Sequence, residues 1–210
     1  MPIDSPEFQQ FLKTFEPELQ KQFLNYGKVK NITRDKIILD IREPIKFIPI
    51  VINGLARVTR RDGRGNSILI HYLTPHDMCT ISFLNASQNK PNTIRITSKT
   101  DLNYVLLPTE IVNNWFDKYG KWAKYVMKLA QEQNESLINL INGVTFEKLE
   151  VVLKHYLAYI ESKFKSKILI TSHQDIARDL YVSRESVSRT LKKMEIEGLI
   201  KLGRNKIYLK

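Results

Sequence analysis

The chain has 210 residues, 42% of them hydrophobic, and carries 33 Lys and Arg against 22 Asp and Glu, a formal net charge of +11. That length supports one large or two small domains with real cores, and the excess of positive charge favours a polyanionic partner, nucleic acid before membrane. A single cysteine, Cys79, excludes an intramolecular disulfide, an internal thiolate iron–sulfur cluster and a Cys-rich zinc site.

No apolar run reaches the roughly 18 residues of a spanning helix. The opening stretch MPIDSPEFQQ is polar and acidic, unlike a secretory signal, so the expected compartment is the cytoplasm, with no membrane partner. Over residues 5–26, Phe8, Leu12, Phe15, Leu19 and Phe23 recur at spacings of three or four, which predicts helix interrupted at Pro17. From about residue 29 to 107 the pattern turns to short β-rich runs: KIILDI, IKFIPIVI, GLARVTRR, SILIHYL, NTIRIT and NYVLLP. Between two of these, RRDGRGN offers Asp62-Gly63 and Gly65-Asn66 for a hairpin loop. Short strands at this spacing predict a β-sandwich, barrel or jelly roll.

From Pro108 the period is helical. A short helix runs to about Lys118, and Gly120 separates it from a longer one. There Tyr119, Ala123, Val126, Ala130, Gln133, Leu137, Leu140 and Val144 step alternately by four and three, the a/d spacing of a helix that meets a twin. Gln133 is the strongly polar position of this seam, of the kind that fixes register. A second stripe, Trp122, Leu129, Ile138 and Ile141, is assigned to the chain's own core. Residues 146–162 form another amphipathic helix, followed by the charged KFKSK.

The C-terminal stretch ITSHQDIARDLYVSRESVSRTLKKMEIEGLIKLGRNKIYLK divides readily. Ser172 caps a short helix with Ile176, Ala177 and Leu180 inward, Tyr181-Val182 form a turn, and Ser183 caps a second helix that Gly198 stops. LIKL and KIYLK flank the turn GRN. Helix, tight turn, helix and β-hairpin make a winged helix-turn-helix. At about 100° per residue, Val187, Leu191 and Met194 fall on one side of the second helix, and Glu185, Ser188 and Arg189 fall together on the other. Arg donates a bidentate pair to guanine O6 and N7, Glu accepts from cytosine N4, and Ser serves several edges. The bland alternative for Glu185 and Arg189 is a surface ion pair at i,i+4. Residues 146–210 hold 14 Lys and Arg against 8 Asp and Glu, a net of +6, more than twice the positive density of the remainder.

The fold class expected is therefore α+β. Residues 1–118 form a β-roll or jelly roll with flanking helices, 119–145 a dimerisation helix, and 146–210 a winged helix-turn-helix domain. This order, the segment VSRESVSRTLKKMEIEGLI and the strand-turn-strand INGLARVTR with Gly54 resemble the Crp–Fnr family of bacterial transcription regulators. That family's recognition helix follows S-R-E-x-V-x-R-x-L-x-x-L-x-x-x-G-x-I. The resemblance implies that Arg184, Glu185, Ser188 and Arg189 read bases, with Ser172, Ser183, Lys192, Lys193 and Arg204 at phosphates. It also implies a homodimer on palindromic double-stranded DNA, with RNA polymerase as a further partner. Glu-x-x-Ser-Arg is similar to the Fnr branch, whose half-sites contain TTGAT, whereas Arg184 is similar to the Crp branch. Tyr181 stands where the family has a turn glycine.

Cyclic-nucleotide-binding members carry Gly-Glu before a short helix and Arg-Ser or Arg-Thr after it. Here His76-Asp77 and Asn92-Thr93 stand in those places, so the phosphate's cation is missing and no cyclic nucleotide is expected. The effector-pocket candidates are His76, Asp77, Met78, Cys79, Asn92, Thr93 and Arg95. By analogy with haem-binding branches, His71 or His76 is the alternative ligand position; the expectation is no cofactor and no metal. A cupin-like metalloenzyme is the rival class, but histidines 71, 76, 155 and 173 are scattered rather than clustered. A ligand-binding or interaction module without specific DNA recognition is the third.

Overall fold

The computed structural model describes residues 4–61, 67–146, 148–164 and 166–210, with the side chains of residues 139–146 outside that description. Two compact units form, Met1–Arg60 with Ile70–Ser136, and Arg61–Leu69 with Leu137–Lys210.

The first unit opens with α1 (Pro6–Leu12) and α2 (Pro17–Tyr26). Both carry proline in the first turn, where the missing N–H has no intrahelical partner to lose, so Pro17 starts a second helix rather than kinking one. Phe8, Leu12, Phe15, Leu19 and Phe23 are all buried, and Phe23 packs on Trp115 with ring centroids 4.9 Å apart. Strands follow as β1 (Lys28–Ile32), β2 (Ile37–Leu39), β3 (Phe47–Asn53), β4 (Ala56–Arg61) and β5 (Ser67–Leu73), then α3 (Thr80–Ser87), β6 (Arg95–Ser98) and β7 (Leu102–Pro108). They make two sheets, ordered β1-β7-β3 and β2-β6-β4-β5. Ile48, Ile50, Val58, Ile96, Val105 and Leu107 are fully buried between turns of this roll. Gly54 has φ +91°, and a Cβ there would lie 2.3 Å from the Asp101 carbonyl oxygen, so only glycine fits the turn. The residues of the expected RRDGRGN loop, 62–66, lie outside the described residues. β1 was not expected; its exposed, lysine-bearing pattern is that of an edge strand, held by antiparallel pairing with β7. Helices α4 (Thr109–Lys118) and α5 (Gly120–Phe146) follow, the residues of α5 from Leu137 belonging to the second unit.

In the second unit, α6 (Leu149–Phe164) and the unexpected three-residue β8 (Ile168–Ile170) precede α7 (His173–Leu180) and α8 (Arg184–Ile196). The wing follows as β9 (Ile200–Gly203) and β10 (Lys206–Leu209), in a sheet ordered β8-β10-β9. Leu153, Leu157, Leu169, Ile176, Val187, Leu191, Met194 and Ile207 form its core. The buried Asp179 accepts a hydrogen bond from the Tyr156 hydroxyl at 2.8 Å, as a buried carboxylate requires.

Helix α5 corrects the seam assignment. Tyr119, Trp122, Val126, Leu129 and Gln133 are buried within the chain, whereas Ala123, Ala130 and Leu137 are half-buried and Met127 and Ile138 are 64% and 57% exposed. The boundary between inner and outer stripes is thus rotated, with Val126 and Gln133 inward and Ile138 outward. Gln133 faces inward because α3 needs it. Its Oε1 accepts from the Thr80 backbone N–H at 3.0 Å and from the Thr80 hydroxyl at 2.7 Å, and its Nε2 donates to the Met78 carbonyl at 2.7 Å. Cys79, the N-cap of α3, makes no side-chain cap of its own, so the glutamine supplies the missing acceptor. The side chains of Leu140 and Val144 lie outside the description. Gln133→Leu leaves these three buried groups unpaired and should destabilise the protein by about 2–3 kcal/mol, read as a lowered midpoint in chemical denaturation.

Candidate nucleic-acid interface

The helix-turn-helix is assembled by caps. Ser172 and Asp175 form a reciprocal capping box at the start of α7, the Ser172 hydroxyl accepting from the Asp175 N–H at 3.1 Å. The helix ends at Tyr181, which adopts φ 58° and ψ 41°, and the Val182 N–H donates back to the Ala177 carbonyl at 3.0 Å. Ser183 then caps α8 by accepting from the Ser186 N–H at 3.1 Å. With both ends held, Val187, Leu191 and Met194 turn inward with at most 2% exposure.

The other face of α8 is open. Arg184, Glu185 and Arg189 are exposed and Ser188 is half-buried. Among the described residues no ion pair engages Arg184, Glu185 or Arg189, so the expected alternative of a Glu185–Arg189 pair does not form. Glu185 is the second residue of the helix, where a carboxylate is favoured by the positive helix end. One contact had no signal in the sequence. Nδ1 of His173, the first residue of α7, lies 2.9 Å from the Ser188 hydroxyl fifteen positions away. Burial, and then the charge of Arg184, hold the His173 pKa below the usual histidine value.

The residues expected at phosphates divide. Lys192 pairs with Glu195 at 2.7 Å, and Lys193 pairs with Glu150 of α6 at 2.6 Å and with Glu197 at 3.6 Å. Hydrogen bonds from Lys193 and Lys154 hold the Glu150 carboxyl down at a pKa of about 2. These two lysines are therefore not free cations, while Arg204 is exposed in the wing turn, beside Asn205 at φ 54°. The hydroxyls of Ser172 and Ser183 are engaged as caps, so a phosphate there would meet backbone N–H groups or displace a cap.

In the β-roll the polar effector candidates Asp77, Asn92, Thr93 and Arg95 each have a hydrogen-bond partner within the chain. Asn92 is 1% exposed, and its Nδ2 donates to the carbonyls of Asp40 and Ile94, both at 2.6 Å. Arg95 forks onto Asp40, with Nε–Oδ1 2.7 Å and Nη2–Oδ2 2.6 Å. Asp77 closes its own turn, Oδ2 accepting from the N–H and hydroxyl of Thr74 at 2.8 and 2.7 Å. His76 sits at φ 73° with its ring stacked on Phe11, centroids 4.6 Å apart, and burial lowers its pKa. Its carbonyl accepts from the Tyr125 hydroxyl. His71, Met78 and Cys79 are buried, burial pushes the Cys79 thiol pKa up, and Thr93 is exposed, accepting from Asn85 Nδ2 at 3.2 Å. Among the described residues no group of three or more His, Cys, Asp or Glu is arranged to hold a metal.

Tyr181 carries the local strain of the motif, because a β-carbon in the left-handed region costs roughly 1 kcal/mol. Tyr181→Gly should raise the stability of the protein by up to about 1 kcal/mol, measured as a higher denaturation midpoint with unchanged cooperativity.

Residues 153–210 match the family model described as a Crp-like helix-turn-helix domain. Among curated proteins none matches the sequence. Solved structures with the same fold include a Crp/Fnr-family protein from Eubacterium rectale, 23% identical with a TM-score of 0.75, the match covering 92% of this chain and 90% of that one. The c-di-GMP responsive global regulator CLP of Xanthomonas campestris is 13% identical with a TM-score of 0.78, covering 92% and 99%. CooA from Carboxydothermus hydrogenoformans is 16% identical with a TM-score of 0.70, covering 99% and 89%. No described helix is long and apolar enough to cross a membrane. The chain carries a Crp-like helix-turn-helix domain at residues 153–210, on a fold shared with the Crp/Fnr transcription regulators.

Proposed function

We propose that this protein is a homodimeric transcription regulator that reads a palindromic double-stranded operator with the outward face of α8. The observation that carries the reading is the contrast along that helix. Arg184, Glu185 and Arg189 are exposed without an ion pair among the described residues, while Lys192 and Lys193 are held by carboxylates. Base edges call for free, directed donors and acceptors, and these residues supply both polarities. Lys192, Lys193 and Arg204, with the N-termini of α7 and α8, serve the backbone, the lysines exchanging their carboxylates for phosphates on binding. RNA polymerase is the natural further partner of such a regulator.

The effector site is altered. The groups that stand where a cyclic nucleotide's ribose and phosphate would be held are Asp77, Asn92 and Arg95, and each is engaged within the chain. Binding a cyclic phosphate would require breaking the Arg95–Asp40 fork, whose side chains are only 19% and 25% exposed. The Crp-like helix-turn-helix domain at residues 153–210 favours the regulator reading over the jelly-roll enzyme.

The dimer uses the outer stripe of α5, where Ala123, Met127, Ala130, Leu137 and Ile138 leave apolar surface uncovered. Met127→Glu with Ile138→Glu places like charges along that stripe. Sedimentation equilibrium should find monomers, and a dimer of unchanged strength would refute the seam. For DNA reading, Arg189→Ala should lower affinity for the cognate operator by about 1–3 kcal/mol and relax preference at one base pair. Titrations on single-base operator variants measure it; an unaltered preference would remove α8's outward face as the reader.

A further inference from the structure

Of the four outward residues of α8, Ser188 alone is half-buried, and its hydroxyl is engaged by His173 across the motif at 2.9 Å. A serine or threonine inside a helix ordinarily donates to the carbonyl four residues earlier. Thr190 does this, giving its hydroxyl hydrogen to the Ser186 carbonyl at 2.9 Å. Ser188 has the same option at the Arg184 carbonyl and bonds to His173 instead. The difference is consequential, because a hydroxyl has one hydrogen and two lone pairs to offer. A back-bonded hydrogen lies along the helix backbone and is withdrawn from any base.

We propose that His173 is a positioning residue for sequence reading: its Nδ1 holds the Ser188 hydroxyl off the helix backbone and fixes whether hydrogen or lone pairs face the base edge. The inference rests on the reading of α8 as the recognition helix. Half-burial, and the neighbouring charge of Arg184, favour the neutral imidazole, which has one N–H and one lone pair. If Nδ1 carries the lone pair it takes the serine hydrogen, leaving serine lone pairs for the amino group of cytosine or adenine. If Nδ1 carries the hydrogen, the serine hydrogen is left for guanine O6 or N7 or thymine O4. A serine that alone would adapt to several edges is thereby restricted to one polarity.

The test compares the full-length protein with Ser188→Ala, His173→Ala, His173→Asn and the double alanine variant. Each is titrated with an operator selected from random DNA, with all its single-base variants, and with unrelated DNA. Ser188→Ala should relax discrimination at one base pair by about fivefold to tenfold, the scale of one hydrogen bond. His173→Ala should do the same at the same base pair and leave binding to unrelated DNA within about twofold. The double variant should be no worse than either single one. His173→Asn keeps a hydrogen-bonding δ atom and should recover most of the discrimination; it also carries the comparison if His173→Ala does not fold. The inference is overturned if Ser188→Ala changes base preference while the histidine variants leave it intact, weaken all DNA alike, or add fully to it. If neither Ser188→Ala nor Arg189→Ala alters any base preference, the recognition-helix reading itself fails.

Discussion

The apolar stripe of α8 is the contact on which the helix-turn-helix unit depends. Val187, Leu191 and Met194 are buried on a helix that packs on α6, α7 and β9, and each side chain so buried contributes roughly 1.5–3 kcal/mol of transfer free energy. Three elements therefore grip one face of a thirteen-residue helix. A helix held on one face has a fixed rotation about its axis, and that rotation alone puts Arg184, Glu185 and Arg189 in solvent together. The caps at Ser172 and Ser183 and the left-handed turn at Tyr181 serve the same end, because they fix where α8 begins relative to α7. Strain at Tyr181 is tolerable since the packing on either side of the turn is much larger than its cost.

The β-roll uses polar side chains in the opposite way. Asn92, Arg95, Asp77 and Gln133 all close contacts inside their own unit: Arg95 joins β6, and Asn92 the segment before it, to Asp40, Asp77 seals a turn, and Gln133 anchors α3 to α5. Buried polar groups must be paired, and once paired with each other they are poor partners for a ligand that must also be stripped of water. A polar lining in a roll of this fold is thus no guide to an effector unless the lining groups are free.

Much of this was legible in the residues, for reasons that are local. The strands from β2 to β7, the helix-turn-helix and the outward face of α8 follow from periodicity, capping residues and turn signals acting over a few positions. What periodicity could not settle was which side of α5 faces its own domain. Both stripes of that helix are apolar at spacings of three and four, and the deciding fact is the need of the Thr80 N–H for an acceptor, fifty-three positions from Gln133. β1 and β8 were missed because an edge strand bearing Lys28 and Lys30, and a strand of three residues, leave almost no pattern. The commitments of Asn92 to Asp40 and of His173 to Ser188 join residues distant in sequence, and no spacing rule anticipates them.

Charge distribution on α8 has its own consequence for recognition. If every cation on the helix were free, attraction to the phosphate backbone would dominate, and any sequence would bind nearly as well as the right one. Here Lys192 and Lys193 are balanced by Glu195, Glu150 and Glu197, while the two arginines on the outward face have no such balance among the described residues. In the proposed complex, phosphate contact by the lysines would first displace those carboxylates, which would discount the sequence-independent part of the binding energy. Contact by the arginines would carry no such discount, and it would be directional, since a guanidinium pairs well with guanine and poorly with other bases. On the proposed reading, the pairing of the lysines would therefore raise the share of the interaction that depends on sequence, at the expense of total affinity. Glu150 lies on α6, outside the helix-turn-helix, so on the proposed reading the scaffold itself would temper how strongly α8 grips any DNA.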